Sequence, residues 1–184
     1  MILRDRTLLR GLNGFLWLAQ AKLDILGLMF QTRTAAATDA VLITAHRAAM
    51  FTDMGRSQKS LLDAMSRNFE PWVTRMMIEG KYAGWITESD GRPVASAGFF
   101  VLDWPPHPLD PAGEHRGYLL NVFVEPEFRR RGLAHALVDL CIAEAHRRQL
   151  RVVALHSSDA ARPIYDAFGF RASSEMLYME PVEG

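Results

Sequence analysis

The sequence has a single cysteine, Cys141, no excess of either charge, and no uninterrupted apolar run of membrane-spanning length. One cysteine excludes an internal disulfide framework and suits a reducing cytoplasm. Its neighbours Leu137, Val138, Ile142 and Ala145 make it a buried apolar thiol rather than a nucleophile. Lys plus Arg equals Asp plus Glu at 21 each, so the general basic footprint of a nucleic-acid binder is missing. There is no G-x-x-x-x-G-K-[ST], since Gly80-Lys81 lacks the upstream glycine, and no G-x-G-x-x-G opens a helix. Nucleotide hydrolysis and dinucleotide redox chemistry lose their motifs. No G-x-S-x-G elbow is present. The six histidines form no i,i+4 helical pair and have no cysteine companions, so no metal site is expected.

What is present is enough apolar material for a real core: 49% hydrophobic residues in a chain of 184. Residues 7 to 29 carry Leu8, Leu12, Phe15, Leu16, Ala19, Leu23 and Leu26 at helical spacing behind Arg4, Arg6 and Arg10. Lys22 and Asp24 cut that run short of the ~20 apolar residues a membrane span needs. Ala19-Gln20-Ala21 resembles a leader cleavage site, but Asn13 and Gly14 interrupt the apolar core a leader requires. The segment reads as a helical extension, 1–29, that must bury its stripe on its own domain or on a second subunit, the latter giving a homodimer.

From Phe30 onward the punctuation is regular. Phe30 to Thr34 reads as a strand; Thr38 and Asp39 offer an N-cap to a helix over Ala40 to Met54, stopped by Gly55. A second helix runs from Ser57 to Glu79, with Pro71 expected to split or kink it. Tyr82 to Thr87 and Pro93 to Trp104 form a hairpin about Asp90-Gly91. The Pro-rich loop WPPHPLDPAGEHRG then leads to Tyr118 to Val124, apolar almost throughout and expected at the centre of a sheet. A helix to about Arg148, a buried strand Val152 to His156, a short helix Arg162 to Phe168 and a last strand Met176 to Met179 complete the order.

The stretch EFRRRGLA, 127 to 134, lies between the central strand and a helix. A helix N-terminus presents amides without intrahelical acceptors, and the macrodipole adds positive charge, so phosphate is held there. Gly132 and Ala134 allow close approach, and Arg129, Arg130 and Arg131 stand at the rim. The same residues also suit a solvated basic face, and spacing alone does not separate the two.

A second stretch, LHSSDAARPIYDAFGF at 155 to 170, decides between them. With LLNVFVEPEFRRRGLA it resembles the GCN5-related N-acetyltransferase (GNAT) superfamily. Arg129, Gly132 and Ala134 match that family's R/Q-x-x-G-x-G/A pyrophosphate loop. Ala161, Tyr165, Gly169 and Phe170 match its second motif, with Ser158 where asparagine is common. The resemblance covers about residues 30 to 180 and implies an acetyltransferase domain over 30–184. The implied fold is an α/β domain of α+β type, with a mixed, mostly antiparallel central sheet flanked by helices and two splayed parallel strands.

The resemblance further implies acetyl-CoA as cosubstrate, no metal, and direct attack by an acceptor amine of a small molecule or protein. The main chain of Val122, Phe123 and Val124 would hold the pantetheine arm. Arg129, Arg130, Arg131, Gly132, Leu133 and Ala134 would hold the pyrophosphate, and Ser158 would contribute to the same site. The Val122 amide is the implied oxyanion donor and Tyr165 the implied general acid, a phenol still protonated at neutral pH. A tyrosine packed under the cleft is the other reading of that position. No carboxylate stands on Tyr118 to Phe123, which leaves His156, a water-relayed Glu125 or an already neutral amine as routes for the acceptor's proton. Acceptor choice falls to the first two helices, with His46, Met50, Phe51, Asp53, Met54, Phe69, Trp72 and Met76. Asp53 suits a cationic acceptor, although an exposed helical aspartate needs no such role. The competing function is a non-catalytic acyl-CoA-binding or sensing module on the same fold. The expected partners are acetyl-CoA and an amine, without nucleic acid or membrane span, in the cytoplasm.

Overall fold

The computed structural model describes residues 29–56 and 58–178. The expected N-terminal helix lies outside them, as does Met179. The elements are strand β1 (Gln31–Thr34), helices α1 (Ala40–Asp53) and α2 (Lys59–Ile78), strands β2 (Tyr82–Ser89), β3 (Arg92–Asp103) and β4 (His115–Val124), helix α3 (Leu133–Arg147), strand β5 (Val153–Leu155) and helix α4 (Arg162–Ala167). The five strands lie in chain order. The first four are antiparallel, and β4 pairs with β5 in parallel.

Each face of the sheet carries its own core. Ala40 and Ile43 of α1 with Phe69, Val73 and Met76 of α2 close over Tyr82, Phe100 and Leu120. Leu133, Leu137, Val138, Cys141 and Ala145 of α3, with Tyr165 of α4, close over Val94, Ala95, Ala97, Phe99 and Leu119 on the other. Cys141 is fully buried, as its apolar neighbours predict, and burial pushes its thiol well above the ordinary range. A thiolate there is excluded.

Local chemistry explains most boundaries. The β2–β3 turn places Asp90 at φ 50° and Gly91 at φ 75°, the two positive values that a tight hairpin turn requires. Asp39 makes no cap to α1; it bonds the Ala36 amide at 2.8 Å and the Arg33 guanidinium instead.

Three expectations are corrected. Of the two outcomes expected at Pro71, a split does not occur: α2 is one helix with the proline inside. Pro71 sits on the exposed face, and the buried stripe Phe69, Val73 and Met76 carries the ~3 kcal/mol an internal proline costs. β5 is shorter than expected and half-buried. No strand forms over 176–178: residues 171–178 are exposed and irregular, because the short β5 offers almost no edge to extend. Arg116 holds this segment through Glu175 at 2.5 Å. No helix among the described residues is long and apolar enough to cross a membrane.

Candidate active site

Strand β4 is released from both neighbours at one place. On the β5 side, register pairing ends at Leu119 with Leu155, although β4 continues to Val124. On the β3 side, Ser96 pairs with Phe123 and Gly98 with Leu120, so Asn121 and Val122 together oppose Ala97. This is a β-bulge, and Asn121 takes the left-handed φ of 58° that such an insertion demands and that asparagine tolerates better than most residues. A strand edge with unpaired main-chain groups follows from Leu120 to Val124.

The Asn121 side chain, 2% exposed, fixes the bulge by bonds in two directions. Its Nδ2 donates to the Tyr82 hydroxyl at 3.1 Å, and its Oδ1 accepts from Nη1 of Arg47 at 2.5 Å. Tyr82 reaches it only because position 98 is glycine: a Cβ there would stand 2.0 Å from the phenol oxygen. Beneath the same strand the buried His46 shares a 2.8 Å hydrogen bond with Ser96 and packs on Phe123. Burial lowers its pKa to about 4, so it is neutral.

Beyond β4, the turn Pro126–Phe128 leads into the arginines. Gly132, at φ 88°, delivers the chain into α3. Among the described residues the amides of Gly132, Leu133 and Ala134 donate no hydrogen bond, and the first α3 bond is from Ala136 to the Gly132 carbonyl. The three arginines divide their work. Arg129 donates from Nε to the Val124 carbonyl at 2.9 Å and pairs with Asp53 of α1. Arg131 donates to the Glu127 carbonyl at 3.1 Å and lies over the Phe128 ring. Arg130, itself at φ 59°, makes no hydrogen bond among the described residues and is the free cation of the rim. Asp53 is therefore committed to the loop rather than open to a cationic acceptor.

Tyr165 lies on α4, 7% exposed, edge-on to Phe170 and within the α3-side core. Its hydroxyl has no hydrogen-bond partner among the described residues, and burial pushes its pKa up to about 12. It keeps its proton at neutral pH. Ser158 accepts the Ala161 amide on its hydroxyl at 3.3 Å and the Arg162 amide on its carbonyl at 3.1 Å, so it closes the turn that leads into α4. His156 is exposed beyond β5 and shares a hydrogen bond through Nδ1 with the Tyr118 hydroxyl. Glu125 donates its amide to the Val94 carbonyl at 2.9 Å where the β3–β4 ladder ends. The Pro-rich loop 104–114 lies at the other end of β4 from the arginines, closed by a 2.8 Å bond from the Trp104 amide to the Glu114 carbonyl.

An open strand edge running into a helix N-terminus with unpaired amides is geometry suited to an extended ligand that ends in phosphate. Residues 47–170 match the Acetyltransferase (GNAT) family, and the chain belongs to that family. The crystal structure of a GCN5-related N-acetyltransferase from Ralstonia eutropha JMP134 is 35% identical, with a TM-score of 0.78 over 84% of this chain and 99% of that one. A predicted acetyltransferase of Clostridium acetobutylicum, in a structure with acetyl-CoA, shares the fold at 24% identity and TM-score 0.76 over 83% of this chain and 96% of that one. A glucosamine 6-phosphate N-acetyltransferase of Trypanosoma brucei brucei is 31% identical over 91 residues, 49% of this chain. The match spans 58% of that relative's length.

The bulge and the Arg47–Asn121 contact escaped sequence reading. Asn121, a polar residue tolerant of positive φ inside an apolar strand, was the available signal.

Proposed function

We propose that the chain transfers an acetyl group from acetyl-CoA to a primary amine of a small molecule or protein by direct attack. The observation that carries this reading is the release of β4 at Asn121–Val122, directly upstream of the free amides at Gly132 to Ala134. The residues fit the cosubstrate: an edge from Val122 through Phe123 to Val124 for an extended arm, and a cradle from Arg129 to Ala134 for its pyrophosphate. Ser158, in the turn before α4, stands on the Tyr165 side of the cleft.

Acetyl-CoA, when bound, supplies an acetyl group activated as a thioester. The acceptor's nitrogen lone pair forms the new C–N bond as the C–S bond breaks; one proton leaves nitrogen and one reaches sulfur. The Val122 amide, freed from the β3 ladder, offers a donor to charge developing on the carbonyl oxygen. Tyr165 holds the proton for sulfur. The test is an acceptor screen read by thiol release, across amino acids, amino sugars, polyamines, aminoglycosides and peptide N-termini. Turnover of any of these supports the enzyme. Tight acetyl-CoA binding with no turnover across the screen is the behaviour of an acyl-CoA sensing module and would replace this reading.

A further inference from the structure

Arg47 of α1 lies over the β4 bulge with no carboxylate partner among the described residues. Its guanidinium stands 4.8 Å from the ring centroid of Phe51 and 4.6 Å from that of Phe69. Nη1 is the one nitrogen hydrogen-bonded among the described residues, to Asn121, while Nε is buried without a partner. No carboxylate among the described residues pairs with it; the ionisable groups that act on it are the phenols of Tyr82 and Tyr118. Burial pushes its pKa down, yet arginine stays cationic in a protein. Arg116 shares the unpartnered Nε but holds a carboxylate, Glu175 at 2.5 Å, and Arg148 holds Glu144 at 2.6 Å. A desolvated cation without a counterion is unfavourable for the chain alone, whereas an anion brought by a ligand supplies the missing half of the pair.

Its position says which ligand. Through Asn121 it touches the residue that forms the bulge, where the proposed reaction takes place. It comes from α1, the sheet face opposite α3 and its N-terminal cradle. Asp53, the carboxylate on the same helix that suits a cationic acceptor, is held by Arg129.

We propose that Arg47 anchors an anionic group, a carboxylate or a phosphate monoester, on the acceptor, so that the amine acetylated by this protein carries its own negative charge. The inference rests on the acetyltransferase reading of the cleft. Polyamines and other purely cationic amines are then poor acceptors, repelled by the charge that an acidic amine neutralises.

The test is calorimetric binding of matched amines to the full chain saturated with coenzyme A. Glucosamine 6-phosphate is paired with glucosamine, and phenylalanine with phenethylamine. In the wild type the anionic member of one pair should bind about tenfold to a hundredfold more tightly than its partner, the range for a charge-assisted contact. The pair that shows the difference separates phosphate from carboxylate. Arg47→Met should abolish the preference by weakening the anionic member of the pair while the uncharged member keeps its affinity; Arg47→Lys should restore part of it. Equal binding within both pairs, a preference that survives Arg47→Met, or no binding by either anionic amine overturns the proposal. If acetyl-CoA binds and uncharged or cationic amines are acetylated best, Arg47 fails while the acetyltransferase reading stands. Failure of acetyl-CoA to bind the wild type overturns both.

Discussion

Tyr165 and His46 show how burial sets the chemistry of single side chains. Tyr165 is enclosed and its phenol pushed up to about 12, so it stays protonated throughout the neutral range, and its own titration produces no limb in a pH–rate profile below about pH 10. Tyr165→Phe keeps the ring against Phe170 and removes only the hydroxyl. Turnover should fall about 100-fold or more while acetyl-CoA affinity stays within a few-fold, measured by single-turnover thiol release and calorimetry. Unchanged single-turnover rates would leave the tyrosine as packing. His46 acts on stability instead. Its pKa falls from 6.5 to about 4 in the fold, so between those values the unfolded chain binds a proton that the folded chain refuses. The contribution is complete above pH 6.5 and is lost as pH drops towards 4, by up to about 3 kcal/mol. Denaturant titrations across that window should show this slope in the wild type and a flatter one in His46→Gln; identical slopes would assign the acid sensitivity elsewhere.

The α3 N-terminus and the β4 bulge are elements whose backbone matters more than their side chains. Gly132→Glu places a side chain at φ 88° and a negative charge among the free amides, so acetyl-CoA binding should disappear from calorimetric titration of the folded variant. Gly132→Ala, with the strain but not the charge, should weaken it less. Arg130→Ala should lower affinity and flatten its salt dependence, whereas Arg131→Ala should do neither strongly, since Arg131 is engaged with Glu127 and Phe128. Equal effects at both positions would return the arginines to a solvated basic face. These elements also show what a sequence discloses. The Asp90-Gly91 turn and the glycine before α3 were legible because a positive φ is demanded by neighbours in the chain itself. Arg47 with Asn121 and Asp53 with Arg129 join residues 74 and 76 positions apart, and no local pattern encodes them. Pro71 and the segment 176–178 misled for the complementary reason: local propensity was read correctly, but packing overrode it in α2 and no strand edge answered it after α4.

For the whole molecule, the question is where the catalytic unit begins, and Phe30 answers from the packing side. It is 7% exposed, joins the core that α3 and α4 close, and meets the Phe128 ring edge-on at a centroid distance of 6.0 Å. Phe128 belongs to the turn that delivers the arginines, so the start of the described fold is tied directly to the segment that enters α3. We propose that the boundary lies between residues 29 and 30. A chain beginning at Met29 should fold and bind acetyl-CoA with near-native affinity, and any loss should fall on self-association or solubility. Phe30→Ala in the full chain should do the reverse: it empties a packed site at a cost of about 3–5 kcal/mol and loosens the turn before the cradle. Chromatographic size, denaturant melts and acetyl-CoA titration of the two proteins, side by side with the wild type, provide the comparison. A shortened chain that is folded yet cannot bind would place part of the site within residues 1–28 and move the boundary towards the N-terminus.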